Sequence, residues 1–553
     1  MKNILILVLI CITQSLFAQA DFYASYEFTT ADTLRGALRP ERTCYDVHFY
    51  ELNLKVDIDK QFLSGYVDIA YKVVEDFKTL QIDLFQNMDI KKITWNKQSL
   101  KFQRVHDAVF VRFPKRQKEG TSGVFRVEYK GKPTVAERAP WDGGFVWSED
   151  ENGNPWVGVA CEGDGASLWW PNKDHLSDEP DSVSIKIAVP NDLVCASNGN
   201  LRGTKDIGKG YTRYDWFVSY PINNYNVSIT IGDFAHFSDS YTAADGKVLD
   251  LDYYVLSYNL DKAKKQFKQV QKMLACYEQY FDKYPFWNDG FAMIETPYLG
   301  MEHQSGIAYG NQYKRGYLGG MIPKNMDWDY IIIHETGHEY FGNSISCNDL
   351  SEMWIHESFT TYMEALYVEC VYDYSEALSY LHSQRPFIQN RQPIIGPADV
   401  NWENWTSSDH YYKGSWVLHT LRNAIGNDAV WFDLLKSFYQ RHAISMVDSE
   451  DFFEHVNACT KRDFSSFFEQ YLYYPNIPVL EYHLKTTADN ELLVRYRWQA
   501  DVDNFDMSVL VGKREAYTRI SPTNEWQESI ITGVEESAFR VATELFYVES
   551  KQR

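Results

Sequence analysis

His334 and His338 stand four residues apart in the stretch Ile331-Ile-Ile-His-Glu-Thr-Gly-His-Glu-Tyr-Phe-Gly-Asn343, with Glu335 beside the first histidine. On a helix, residues i and i+4 share one face, so the two imidazoles converge on one point. Imidazole nitrogens so placed suit zinc, whose catalytic sites keep three protein ligands and one open position. Glu335 is turned about 100° from His334 around the helix axis. It therefore flanks the same point and can serve as general base toward an attacking water. The bland alternative is an amphipathic helix with two partly buried histidines. Gly337 argues against it, because a glycine in a helix interior costs about 1 kcal/mol relative to alanine. Its presence implies that another element packs closely on that face.

A third donor has to come from elsewhere. After a gap of eighteen residues beyond His338 comes Glu357, in Trp354-Ile-His-Glu-Ser-Phe-Thr-Thr-Tyr362 on the next expected helix. Two helices joined by a turn can carry this carboxylate back over the histidine pair, giving a His₂Glu set of the metalloprotease kind. His356 is a rival ligand, but its side chain leaves the helix about 100° away from that of Glu357. The metzincin pattern would need a glycine three residues after His338 and a histidine six after it. Those positions hold Phe341 and Ser344, which excludes that class.

The elements that must position these groups are legible in the hydrophobic period. From about residue 44 to 235 the pattern alternates, as at Leu52, Leu54, Val56 and Ile58, at Val67, Ile69, Tyr71 and Val73, and at Val183, Ile185, Ile187 and Val189. These read as half-buried antiparallel strands. From residue 261 the spacing becomes helical, at Ala263, Phe267, Val270, Leu274, Tyr277 and Phe281, and helix is expected to dominate to about 475. Asp327 is a candidate cap for the histidine helix and Ser351 for the helix of Glu357. Two further helices are expected over Gly414–Ile425 and Asp428–His442. Alternation returns at Val479, continues through Leu492, Val494, Tyr496 and Trp498, and predicts a small closing β domain.

At 553 residues the chain exceeds a single core. Its composition, 44% hydrophobic and 24% charged, is that of a folded globular protein. A net charge of -22 argues against a nucleic-acid partner. Lys2, the apolar run Ile4 to Ile12 and the small residues around Ala18 and Ala20 predict an export leader cut after Ala18 or before Asp21. Cys11 is a poor lipid-anchor candidate because a bulky isoleucine precedes it. No later run approaches the ~18 apolar residues needed to span a bilayer. Seven cysteines remain beyond the leader, with no C-x-x-C pair, so one disulfide or none is expected and a cysteine metal cluster is not supported. The divisions that follow are a leader at 1–20, an N-terminal β domain at 21–235, a catalytic domain at 236–475 and a C-terminal β domain at 476–553.

The H-E-x-x-H pair, the eighteen-residue gap and Glu357 together resemble the aminopeptidase N family of zinc metallopeptidases, the gluzincin aminopeptidases related to leukotriene hydrolase. Four more stretches fit. Leu299-Gly-Met-Glu-His303 resembles the family's G-[AG]-M-E-N motif, Glu162-Gly-Asp-Gly-Ala-Ser-Leu-Trp-Trp-Pro171 resembles E-P-T-x-A-R-x-x-F-P, Tyr411-Tyr-Lys-Gly414 resembles Y-x-K-G, and Tyr45 to Leu52 resembles the family's opening strand. The resemblance covers about residues 44 to 475. It implies a multidomain α+β fold: an N-terminal antiparallel β saddle, a thermolysin-like, mainly helical catalytic domain and a small C-terminal β-sandwich. The long C-terminal helical domain of many members is expected to be absent, leaving an open cleft or one roofed by a partner subunit.

It further implies one zinc per chain on His334, His338 and Glu357, with Glu335 as general base and Tyr411 as oxyanion stabiliser. The substrates would be peptides with a free N-terminus, their ammonium held by Glu302 and Glu162, with Gly300, Met301 and His303 beside them. Leu299, His303 and Ser167 depart from the family pattern and leave the preferred first residue open. Endopeptidase or epoxide-hydrolase action at the same site, and an inactive peptide-binding module, are the alternatives. The product is expected outside the cytoplasm, periplasmic or extracellular. Oligomeric state and cysteine pairing stay open. Asn226 and Asn404 head glycosylation sequons that matter only in a eukaryotic secretory pathway.

Overall fold

The computed structural model describes residues 22–402, 404–489 and 491–553; the expected leader, with Cys11, lies outside them. An eight-stranded sheet organises the first half. Its order runs Asn200–Gly208, Tyr211–Val218, Ser182–Pro190, Tyr45–Asp57, Phe62–Val73, Ser122–Gly131, Met88–Trp95 and Gln98–Ser99. The alternating residues read from the sequence face its core, with Tyr50, Leu52, Val56, Val67 and Ile185 fully buried. One pairing differs from the all-antiparallel expectation. Tyr45–Asp57 lies parallel to Ser182–Pro190, with Leu52 opposite Ile185 and Leu54 opposite Ile187. Period two reports which face is buried and is blind to strand direction.

A five-stranded sheet begins the part expected to be catalytic, in the order Phe234–Thr242, Val248–Leu256, Phe291–Glu295, Ile307–Tyr309 and Gly300–Met301. The last three strands interrupt the region expected to be helical. Their apolar runs are buried on both sides and carry no alternation to reveal them. Gly300–Met301 pairs antiparallel with Ile307–Tyr309 at the sheet's edge and delivers Glu302 at its end.

The helix expected over residues 261–281 is two helices, Leu260–Gln266 and Gln269–Tyr280. Tyr330–Tyr340 is the histidine helix, Trp354–Val371 the helix of Glu357, and Asp409–Ile425 the helix of Tyr411. The last starts five residues before the expected Gly414, while Asp428–His442 is as expected. Both expected caps are corrected. Asp329, not Asp327, caps the histidine helix, accepting from the backbone N–H of Ile331 and Ile332. Ser351 lies inside a 3₁₀ turn, Leu350–Glu352, whose cap is Asp349, and the following helix has no side-chain cap. A disulfide joins Cys276 to Cys370, tying the helix Gln269–Tyr280 to Trp354–Val371. Asn226 is fully buried and its amide donates to Asn343, so that sequon is closed to a glycan in the folded protein.

The C-terminal residues form a four-stranded sheet, Gln527–Ile531, Leu492–Gln499, Val479–Thr486 and Glu549–Gln552, and a three-stranded one, Ala516–Ile520, Val509–Lys513 and Arg540–Val541. Their inward residues, such as Leu480, Trp498 and Val511, join the same hydrophobic cluster as the catalytic helices. The amino-terminal end of the described chain is not part of the eight-stranded sheet. Tyr23, Tyr26 and Phe28 pack edge-on against Trp402, and the short helix Thr30–Gly36 follows.

Candidate active site

All eleven residues of the histidine helix are buried. Its cap explains why so enclosed a helix is placed accurately. Asp329 has no exposure and also accepts from the Tyr309 hydroxyl and the Asn311 amide, which ties the helix start to the five-stranded sheet. Gly337 meets the expected close neighbour: a Cβ there would come within 2.9 Å of Thr360 Cγ2 on the glutamate helix. That contact lets the two helices approach and brings Glu357 over the histidines.

His334 Nε2 and His338 Nε2 are 3.2 Å apart, and Glu357 Oε2 lies 3.6 Å from the first and 3.4 Å from the second. Tetrahedral zinc with ligands at about 2.0–2.1 Å sets its donors ~3.3 Å apart. The outer nitrogens are already committed. His334 Nδ1 lies 2.6 Å from Glu364 Oε1, and His338 Nδ1 lies 3.0 Å from the Phe341 carbonyl, both of which only accept. Each Nδ1 therefore carries its proton outward, and each Nε2 turns a lone pair inward toward the other. Two facing lone pairs and a carboxylate oxygen with no hydrogen-bond partner require a cation among them. The donor set thus fits one zinc ion per chain.

The local electrostatics agree. Burial alone would lower both imidazoles, but Glu357, with Glu364 at His334 and Glu302 at His338, raises them above the ordinary range. Burial would raise the Glu357 carboxyl, yet the two histidines hold it well below the usual carboxylate range. His356 is not a competitor: its Nε2 accepts from the backbone N–H of Cys347, 3.0 Å away.

Glu335 is buried, and burial, with Glu302 and Glu357 beside it, pushes its carboxyl up to about 7 despite the histidines. Gly300 explains its seat, since a Cβ at that position would come within 2.6 Å of Glu335 Oε1. Glu302 groups with Glu335 and His338, their donor atoms all within 4.8 Å of one another. Its Oε1 accepts from the Tyr225 hydroxyl at 2.9 Å, and its carbonyl accepts from the Asn343 amide at 2.7 Å. Met301 packs among Tyr225, Tyr298 and Ala308. His303 is buried and held neutral, its imidazole lowered to about 3 by burial, and it does not line the cleft.

The cleft is about 710 Å³ and is lined by Glu162, Glu357 and Tyr411 together with Arg138, Trp141 and Trp405. Glu162 Oε1 has no hydrogen-bond partner, and burial together with the Glu302 charge raises its carboxyl well above the ordinary range. Burial and the Glu357 charge likewise raise the Tyr411 phenol, keeping it a proton donor. Tyr411, rather than Tyr412, faces the donors; Tyr412 packs at a tilt against Phe387 with ring centres 5.3 Å apart. Gly414 sets this position, because a Cβ there would overlap the Ser358 hydroxyl on the glutamate helix. Lys413 is fully buried, and its ammonium donates to the carbonyls of Tyr474 and Pro475 at 3.1 and 2.9 Å.

Motif reading missed Glu364, Tyr225, Asn343 and Thr360. Glu364 carried a signal: it lies seven residues after Glu357, two turns along the same helix face. Its other oxygen accepts from the Tyr380 hydroxyl. Tyr225 comes from a distant 3₁₀ turn and had no signal in spacing.

Residues 265–471 match the peptidase family M1 domain. Over that region and beyond it the chain is similar to aminopeptidases of the aminopeptidase N family. It is 22% identical over 302 residues to aminopeptidase N of Escherichia coli (strain K12), covering 52% of this chain and 33% of that one. It is 24% identical over 300 residues to endoplasmic reticulum aminopeptidase 2 of Homo sapiens, covering 52% of this chain and 30% of that one. The chain thus spans about a third of the length of these relatives. The crystal structure of an M1 zinc metallopeptidase from Deinococcus radiodurans superposes with a TM-score of 0.67 at 18% identity, covering 81% of this chain and 97% of that one. That likeness establishes the two-domain M1 fold, a mixture of sheets and helices.

Proposed function

We propose that the protein is an exported zinc aminopeptidase that releases N-terminal residues from peptides with a free amino terminus. The observation that carries this reading is the unpartnered Glu162 oxygen in a cleft it shares with Glu357 and Tyr411. Burial and the Glu302 charge raise the Glu162 carboxyl, burial and the Glu357 charge raise that of Glu302, and an ammonium ion relieves this crowding of buried carboxylates. An ammonium held there, close to the His₂Glu donors, fixes the cut after the first residue. Zinc, when bound to His334, His338 and Glu357, supplies Lewis-acid polarisation of the scissile carbonyl.

The chain's own groups do the rest. Glu335 takes a proton from the attacking water and passes it to the departing amine, a role suited to a carboxyl poised near neutrality. The Tyr411 hydroxyl donates to the carbonyl oxygen as negative charge develops on it. Glu364 and the Phe341 carbonyl hold the two imidazoles in the tautomer that leaves Nε2 free.

The Cys276–Cys370 disulfide supports an oxidising compartment and therefore export. Mass spectrometry of the mature chain should find Gln19 or Asp21 at its start. The catalytic assignment is tested by Glu335→Gln. Turnover of an aminoacyl fluorogenic substrate should fall roughly 10²–10⁴-fold while zinc content per chain stays at one. Undiminished turnover would remove Glu335 from the mechanism.

A further inference from the structure

Trp141 is 66% exposed, the largest exposure among the described large apolar side chains, and it stands in the wall of the catalytic cleft. Its turn is rigidly held. The Asp142 carboxylate accepts from the backbone N–H of Glu137 and Arg138 at 2.6 and 2.7 Å, and the N–H of Trp141 reaches the Arg138 carbonyl at 3.1 Å. The N–H of Gly143 donates to Asp164, which stitches the turn to the loop of Glu162. An exposed indole on so fixed a support is set up for contact at little entropic cost. Trp402 and Trp405, from the catalytic domain, line the same cleft.

Charge is distributed unevenly in this space. Among the described residues lining it, Arg138 is the only lysine or arginine, against Asp142, Glu162, Asp164 and Glu357. Asp142 and Asp164 are occupied by backbone N–H groups, and no hydrogen bond or ion pair among the described residues ties the Arg138 guanidinium to a carboxylate. The volume of about 710 Å³ falls within the range of sites for small ligands. A short zwitterionic peptide matches this pattern, with its ammonium at Glu162 and Glu302 and its carboxylate at the unpaired cation.

We propose that Arg138 and Trp141 form a subsite for the leaving peptide, Arg138 pairing with its C-terminal carboxylate and Trp141 covering an apolar side chain beyond the scissile bond. The enzyme is then selective for short peptides with free C-termini. The inference rests on the aminopeptidase reading, and its test separates the two. The readout is the ratio of kcat/KM for a tripeptide acid, Leu-Gly-Phe, to that for its C-terminal amide.

The wild type should prefer the acid about tenfold or more, as a charge-assisted pair confers. Arg138→Ala should bring the ratio close to one, and Arg138→Lys should restore part of it. Trp141→Ala should raise KM for Leu-Gly-Phe more than for Leu-Gly-Gly, with kcat little altered. Equal cleavage of acid and amide by the wild type, or an unchanged ratio in a folded Arg138→Ala protein, would overturn the subsite alone. Cleavage of neither would overturn the aminopeptidase reading itself.

Discussion

The chemistry of the site is set by which ring nitrogen each histidine turns inward. Glu364 fixes His334 from outside, and its removal should be felt in metal affinity. Glu364→Gln should weaken zinc binding roughly 10–100-fold, read by competition with a chromophoric chelator, while activity at saturating zinc is largely retained. Unaltered affinity would mean that the contact is incidental. Protons compete for the same pocket. Since the carboxylates raise both imidazoles above their ordinary value of 6.5, proton competition begins above that pH and strengthens as pH falls. Zinc content after dialysis should therefore decline through the histidine range, and full content at about pH 4.5 would contradict the ligand set. At this scale the sequence was most legible. His334, His338, Glu335 and Glu357 follow from spacing and helical geometry. Glu364 was overlooked because the motif stops at Glu357, and Tyr225 because only tertiary folding brings it to Glu302.

Helix against helix, glycines decide the positions. Gly414 lets the Tyr411 helix lie against Ser358, which itself donates to the His410 carbonyl at 2.7 Å. Gly414→Ala should force the helices apart, lowering stability by about 1–3 kcal/mol and reducing kcat as Tyr411 shifts. A thermal midpoint and rate equal to wild type would show that the contact is slack. The N-terminal segment acts on the same cleft from outside. Tyr23, Tyr26 and Phe28 cover Trp402, and Gly36 packs so closely on Val400 that a Cβ would overlap the backbone. Deleting residues 22–28 should lower the thermal midpoint and raise KM for peptides by loosening the wall of Trp402 and Trp405. The helices and the long strands were readable from their periods. The short strands of residues 291–309 were not, since a run buried on both faces has no period. Asp329 prevailed over Asp327 as cap because the five-stranded sheet binds it, a tertiary cause that propensity does not contain.

Across the whole molecule, burial of titratable groups makes stability depend on pH in a definite sense. His303, His356 and His419 are buried, and burial lowers each to about 3. The unfolded chain takes up these protons below 6.5 and the folded chain does not, so stability is lost as pH falls from 6.5 toward 3. Glu179 and Glu352, pushed up to about 7 and 8 by burial, act oppositely: the fold gains as pH falls through those values to 4.5, and no further. Zinc-free protein should thus show a shallow change of thermal midpoint down to about pH 4.5 and a steep fall below it. His419→Gln should flatten that fall, whereas parallel curves would reject the assignment. The proposed activity requires that Glu162 and Glu302 read a free ammonium next to the His₂Glu donors. The most direct measurement is kcat/KM for one peptide with its amino terminus free and with it acetylated. The free peptide should be cut after its first residue and the acetylated one left essentially intact, both halting when zinc is chelated; equal cleavage of the two would contradict the account.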